Sequence, residues 1–450
     1  MPYIQNSDDE RLEMLRAVGL EKMEDLFAYI PEGLRSRGEP ELPEGLTEME
    51  VVDRVRALEK RNRPAGDGPF FLGAGIYRHF IPAVVDQLAN RAEFKTAYTP
   101  YQPEISQGVL QAFFEYQTMI CMLTGMEIAN ASMYDGASAL AEAALMALQI
   151  RKGRRTLLVS RAVHPEYRRV LHTYLEHTDA RIEEIPCPEG VTDLDRLEKR
   201  LGEDTAAVIF QHPNFFGLLE EAERAAALAH RHGSLAAVSV DPVSLAVLKP
   251  PGEWGADLVT GEGQALGVPM GFGGPGFGFM AARAEQVRRM PGRIVGQTAD
   301  REGRPGYVLT FQTREQHIRR ERATSNICTN HALMALRAVI HLAALGRTGF
   351  RKLGEIVLAK AHRAAERITA LEGYDLLYRA PFFKEFALRL PRPAAEVNAA
   401  LLERGIVGGY ELGRDYPGLE KGMLLCVTET TSEADVDRLV RVLDELRGQA

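Results

Sequence analysis

Lysine is the scarce residue of this chain. Ten of its 54 basic residues are lysine, and none lies between Lys249 and Lys352. A side-chain imine needs a primary amine at one defined place, so no residue of that stretch can form one. Cysteine is also sparse. Cys121, Cys187, Cys328 and Cys426 are far apart and make no Cys-x-x-Cys pair. That spacing argues against a structural zinc site and a disulfide framework, and scattered thiols fit a reducing, cytoplasmic setting. No apolar run approaches the roughly 18 residues of a membrane span, so no membrane segment is expected. The first ten residues are polar and acidic and lack the pattern of a signal or transit peptide. An excess of basic charge is missing too. The net charge of −8 argues against a general binder of nucleic acid or anionic membranes.

What is present is an ordinary globular composition, 45% hydrophobic and 26% charged over 450 residues. A chain of this length can bury a large core and hold two or three domains. Residues 8–62 read as short helices broken by Pro31, Pro40 and Pro43, with Ser7 to Glu10 offering N-caps. They form an N-terminal arm, 1–65. Residues 66–75 make a Gly/Pro-punctuated loop. In the middle, apolar runs at 156–160, 206–210 and 235–240 alternate with helical patterns such as 221–232, which ends at Gly233. That alternation predicts a parallel sheet with helices on both faces. A further strand is predicted at 276–280. A large α/β domain thus covers 66–345. Beyond it the pattern is helix 346–371, strand 386–390, helix 394–404, strand 423–427 and helix 432–447, a small α+β domain at 346–450.

Several constellations could carry chemistry. Gly271, Gly273 and Gly276 match Gly-x-Gly-x-x-Gly, but they follow a loop and run into apolar Phe277 to Met280, with no acidic residue about 20 positions on. A turn that lets backbone approach closely explains them better than a dinucleotide site. Asp135-Gly-Ala-Ser138 opens an Ala-rich helix and is either a phosphate seat or an N-cap. His164 follows a strand and could stack on a planar cofactor or be a satisfied structural ring. Asp241, at the carboxyl end of a predicted strand, could hold a protonated ring nitrogen or cap the next turn. Residues 314–330 are highly charged; Glu315 and Arg319 make a favourable i,i+4 pair on what reads by default as a solvated helix face, while Thr324-Ser325-Asn326 beside Arg322 could bind an anion. The 97–108 loop concentrates Tyr98, Tyr101, Gln102 and Glu104 before a helix, as binding loops do. Burial against a partner chain is the other option. No metal-ligand cluster stands out.

Six segments carry a family resemblance. They are Tyr98-Thr-Pro-Tyr-Gln-Pro-Glu-Ile-Ser-Gln-Gly108, Gln117-Thr-Met-Ile-Cys-Met-Leu-Thr-Gly125, Ile128-Ala-Asn-Ala-Ser132, Gly261-Glu-Gly-Gln-Ala-Leu-Gly267, Met290-Pro-Gly-Arg-Ile-Val-Gly296, and Arg314 to Arg319 continuing through Ala323 to Asn330. On these the chain resembles the first subunit of the two-subunit glycine dehydrogenase (decarboxylating), the P-protein of the glycine cleavage system. The resemblance implies a pyridoxal-phosphate-dependent transferase fold of type I, with a large mixed-sheet domain and a smaller C-terminal α+β domain. It implies a pair with a homologous second subunit, itself dimerised, and pyridoxal phosphate covalently on that partner's lysine. Here Gln264 and Ala265 stand where the lysine is expected. The implied reaction removes the carboxyl group of glycine and passes the aminomethyl group to the lipoyl arm of the H-protein. Asp135, Ser138, His164 and Asp241 would then be relics of a cofactor site. Tyr98, Tyr101, Gln102, Glu104, Arg322, Ser325 and Asn326 are the candidates for contact with the partner's site. Two alternatives stand beside this: an enzyme of the same fold acting alone, and an inert scaffold or regulatory paralogue.

Overall fold

The apolar runs of the middle third have strand length and no polar face, so they can only be strands covered on both sides. The computed structural model describes residues 5–35, 38, 41–95, 98–323 and 325–447. The chain divides into two units, Met1–Arg63 and Pro64–Ala450. The first unit holds helices Asp8–Ala17 and Glu48–Glu59, each opened by a capping box, Ser7 with Glu10 and Thr47 with Glu50.

In the second unit a seven-stranded sheet contains β1 (Ile128–Ala129), β2 (Thr156–Ser160), β3 (Arg181–Ile185), β4 (Thr205–His212), β5 (Leu235–Val240), β6 (Leu258–Glu262) and β7 (Gly278–Ala282). Their order is β1-β7-β6-β5-β4-β2-β3. Pairs from β3 through β6 are parallel, and β7 runs antiparallel to β6 and β1. The reversal has a local cause. β6 and β7 are joined by a loop without a crossover helix, and a connection of that kind returns the chain antiparallel. All of β5 is buried, as is all of β4 but Gln211. β3 was not expected. It is an edge strand whose Arg181, Ile182, Glu183 and Glu184 stay partly or fully exposed, so it carries little apolar pattern.

A second sheet of four antiparallel strands holds β10 (Asp375–Leu376), β11 (Glu385–Arg389), β12 (Tyr410–Glu411) and β13 (Gly422–Cys426), in the order β10-β11-β13-β12. Between the sheets in sequence lies a hairpin, β8 (Ile294–Ala299) with β9 (Pro305–Thr310). Helix Ala332–Thr369 serves both cores. Ala335, Ala338, Val339 and Leu342 pack under the large sheet, and Ala361, Ala364, Ala365 and Ile368 under the small one. The helix expected from 346 is present: Gly346, with a φ of 59°, breaks the run, one helix continues beyond it to Thr369, and the stretch from Ala332 up to it is a helix that the sequence pattern did not show. An 18-residue stretch of this helix is apolar enough to cross a membrane, a property hidden by the charges that interrupt it. Its buried faces make it a core helix.

The hairpin is held by two glutamines of helix Gln107–Thr124. Gln117 donates to the Val295 carbonyl (3.0 Å) and accepts the Val295 N–H (2.9 Å). Gln107 does the same with Tyr307, at 2.9 Å each way. A side-chain amide matches both groups of one peptide unit, so each glutamine replaces a missing strand neighbour. Gln117→Leu should strand a buried N–H and carbonyl, at a cost of about 1–3 kcal/mol for each group. Thermal unfolding of that variant should show a clearly lowered midpoint. An unchanged midpoint would show that the bracket is dispensable.

Candidate functional site

Two places collect the candidate residues. The first lies at the carboxyl ends of β5 and β6, where open α/β sheets bind ligands. At the turn after β6 stands Gln264, 4% exposed. Its carbonyl oxygen accepts the Tyr77 N–H at 2.9 Å, and its amide donates to the carbonyls of Tyr77 (3.0 Å) and Val268 (2.8 Å). A lysine could not accept, so the pairing is specific to an amide. The neighbouring Glu262 accepts three backbone N–H groups, from Gly136 (2.9 Å), Gln264 (3.1 Å) and Phe277 (3.1 Å). Burial pushes its carboxyl up to about 7, against the pull of those donors. Gly276 permits this, since a Cβ there would sit 2.7 Å from Glu262 Oε1. The close-approach reading of the glycine run therefore holds at Gly276.

Asp135 and Ser138 form a capping box. Ser138 N–H donates to Asp135 Oδ1 at 2.7 Å, and Asp135 N–H to Ser138 Oγ at 3.2 Å. With Glu262 on the Gly136 N–H, the helix N-terminus is satisfied by the chain's own carboxylates. His164 stacks on Tyr167 at 4.9 Å and 27°. Its Nδ1 accepts the Glu166 N–H (3.1 Å), so Nε2 carries the proton and donates to the Ala74 carbonyl (2.8 Å). Burial lowers its pKa and keeps the ring neutral. Asp241 caps the next turn through Oδ1, which accepts the Val243 N–H at 3.0 Å. Its Oδ2 lies 2.7 Å from Lys384 Nζ, an ion pair without hydrogen-bond angles. Lys384 is 2% exposed and its ammonium sits 3.3 Å from the centroid of the Tyr77 ring. Next to it, Glu385 accepts the Ala74 N–H (2.7 Å) and the Tyr77 hydroxyl (2.8 Å), and burial lifts its carboxyl to about 7.

Pyridoxal phosphate would bring a ring nitrogen, a planar ring and a phosphate, and would need an amine. Each complementary group is already satisfied from within. The Lys384 ammonium meets Asp241 as a protonated ring nitrogen would. The Glu262 carboxylate meets the helix N-terminus as a phosphate would. Tyr167 covers the His164 face, and Gln264 is spent on Tyr77. These residues do not fit the cofactor. Lys384 and Tyr77 escaped the sequence pattern, although a Lys-Glu pair inside the apolar run 382–388 signals a buried charge that must be paired.

The second place is a cleft of about 930 Å³ lined by Tyr98, Thr99, Tyr101, Gln102, Ile105, Ser106, Arg293, Cys328 and Thr329. Pro103–Ile105 forms a single 3-10 turn, and Gln107 bonds both the Pro103 carbonyl (2.7 Å) and β9, which ties the loop to the hairpin. Tyr98, Tyr101 and Gln102 are exposed on its wall. Glu104 is exposed but outside the lining. Arg322 is solvated, its side chain 85% exposed and 3.7 Å from Glu321. Ser325 caps the Ile327 N–H (3.0 Å) and bonds the buried Glu142, and Asn326 is exposed. None of these three lines the cleft, while Cys328 and Thr329 just beyond them do. Thr324 and Ala97 lie outside the described residues. The charge in the cleft is Arg293, 3% exposed, a residue of the Met290–Gly296 segment that no local sequence signal marks as a ligand.

Two outcomes test the internal pairing. Above about 4.5 the unfolded chain has released the Glu262 proton, whereas the folded chain holds it to about 7. Stability therefore falls as pH rises through that window, by roughly 1 kcal/mol per pH unit at most. Glu262→Gln should lower the thermal midpoint at pH 5, because its NH₂ meets donors, and should flatten the decline toward pH 7. An unaltered slope would show that Glu262 is ionised throughout. Lys384→Met should destabilise the chain by about 3–5 kcal/mol by stranding Asp241, and adding Asp241→Asn should recover part of that loss. Equal stability of the two variants in denaturant titrations would remove the ion pair from this role.

Comparison with known proteins places the whole chain. The family model described as glycine cleavage system P-protein matches residues 1–443. A protein of Desulfitobacterium hafniense named probable glycine dehydrogenase (decarboxylating) subunit 1 is 52% identical over 99% of this chain and 100% of its own length. One of the same name from Thermomicrobium roseum is 49% identical over 99% of each. A crystal structure of glycine decarboxylase (P-protein) of the glycine cleavage system, in inhibitor-bound form, superposes with a TM-score of 0.91 at 48% identity, covering 99% of this chain and 100% of that one. A NifS-like protein, 13% identical with a TM-score of 0.62 over 85% of this chain and 100% of its own, shares the fold alone. The large mixed sheet and its neighbours are those of the type I pyridoxal-phosphate fold. The chain belongs to the glycine cleavage system P-protein family.

Proposed function

We propose that this chain is the subunit of glycine decarboxylase that bears no Schiff-base lysine. With a homologous second subunit it decarboxylates glycine, and the aminomethyl group passes to the lipoyl arm of the H-protein. Pyridoxal phosphate, carried on a lysine of the second subunit, supplies the electron sink for that loss of CO₂. The observation that carries the reading is the full-length match to relatives named as a first subunit. Gln264 and the three internally satisfied groups support it, because they leave this chain no seat for the cofactor.

The chain's part in the reaction is then to complete a site it does not own. The exposed phenols of Tyr98 and Tyr101 form a wall that can exclude water from the second subunit's glycine, and a dry cleft strengthens every fixed dipole within it. Helix Glu48–Glu59 has no buried residue and exposes Met49, Val51, Val52, Val55 and Leu58. A contiguous apolar face of that kind suits a docking arm for the second subunit, and an α2β2 assembly is part of the proposal. The four free thiols suit a cytoplasmic location.

Co-expression with the second subunit tests this. Light scattering should give a heterotetramer. Glycine–bicarbonate exchange with the carrier present should require both chains. Borohydride reduction with pyridoxal phosphate should label one lysine of the second subunit and none of this chain. Stoichiometric labelling of a lysine here, or exchange by this chain alone, would overturn the proposal.

A further inference from the structure

We infer that the cleft around Arg293 is a binding site for one small oxyanion, a carboxylate or a phosphate group. The inference rests on the reading that this chain completes the second subunit's active site. Its origin is a charge without a counter-charge. Two less deeply buried arginines each carry a carboxylate: Arg168 pairs with Glu184, and Arg337 with Asp86 at 3.0 Å. Among the described residues every acceptor on Arg293 is neutral: Asn330 Oδ1 (2.9 Å), the Cys328 carbonyl (3.1 Å), Thr329 Oγ1 (3.2 Å) and Thr99 Oγ1 (3.3 Å). Among the described residues, none that lines the cleft is acidic. A second guanidinium, Arg314, donates to the carbonyls of Met290 and Gly292 on the same turn and has the buried Glu315 carboxylate as its own counter-charge. The Tyr101 ring, its centroid 5.7 Å from the guanidinium carbon, adds a cation–π contact, but neutral partners offset a buried cation less than a carboxylate would.

The geometry also says how the anion is received. Each terminal nitrogen of Arg293 has one firm acceptor, the Asn330 amide oxygen or the Cys328 carbonyl, and one longer contact to a threonine hydroxyl. Both threonines line the cleft. A hydroxyl can turn from acceptor to donor. Thr99 and Thr329 can therefore release one N–H on each nitrogen and donate to the same ligand. Two N–H groups and two hydroxyls suit a group with delocalised oxygen charge. Asn330 is itself fixed by the Ala131 carbonyl (3.1 Å) and Ser132 Oγ (3.0 Å), so the guanidinium is held in place before the ligand arrives.

The test uses the assembled two-subunit complex with Arg293→Met and Arg293→Lys. Titration of the cofactor-free complex with pyridoxal phosphate and with pyridoxal reads the phosphate arm. Spectral titration of the loaded complex with glycine and with methylamine reads the carboxylate arm. Arg293→Met should weaken pyridoxal phosphate or glycine by about 10- to 100-fold, with little effect on the matching ligand that lacks the anionic group. Whichever pair responds identifies the source of the oxyanion. Arg293→Lys keeps the charge but loses the fork, and should show a smaller loss of the same affinity at unchanged assembly. Wild-type affinities for both ligands in both assembled variants would overturn the inference and leave the proposed function standing. A wild-type complex that binds neither ligand would overturn both.

Discussion

The ion pair between Lys384 and Asp241 is the contact on which the architecture of the second unit turns. Asp241 follows β5 of the large sheet and Lys384 lies just before β11 of the small one, so this buried contact is one of those that join the two. Taking two charges out of water is costly, and the attraction between them compensates only when the surroundings are ordered. Here the order comes from the segment around Tyr77. Its ring lies on the ammonium, its hydroxyl on Glu385, and its peptide groups on Gln264. Ala74, three residues earlier, links Glu385 to His164. Each member satisfies at least one other, so the network is fixed as a unit.

That network also divides the molecule functionally. At the ends of β5 and β6 the charges of Asp241, Lys384 and Glu262 find partners among the described residues of the chain. In the cleft beside the 98–106 loop the reverse holds: rings are exposed and the described hydrogen-bond acceptors of Arg293 are all neutral. The same amide device supports both regions. Gln264 pairs with the Tyr77 peptide to close the first, while Gln107 and Gln117 pair with Tyr307 and Val295 to set the hairpin that borders the second. A glutamine can copy a strand's edge at one residue without committing a whole strand.

Much of the fold was legible because burial leaves a mark on composition. The runs at 156–160, 206–210 and 235–240 became β2, β4 and β5, since strands covered on both faces have no room for polar residues. The Asp135–Ser138 cap was legible as one of two options because a capping box is local. β3 and the hairpin were not. An edge strand and a hairpin braced by side chains from a distant helix show no periodicity of their own.

The site was less legible for a related reason. By itself the sequence determined that no amine could arise between Lys249 and Lys352, that Gln264 stands where the family resemblance expects a lysine, and that a polar aromatic loop precedes a helix. Those are properties of residue identity at a position. Which charges are balanced was decided only by the tertiary structure. Arg322, conspicuous in the sequence, is solvated, while Arg293 is buried beside the cleft. Lys384, more than a hundred residues from Asp241, closes on it. Electrostatic compensation depends on distance and burial in three dimensions, and separation along the chain carries neither.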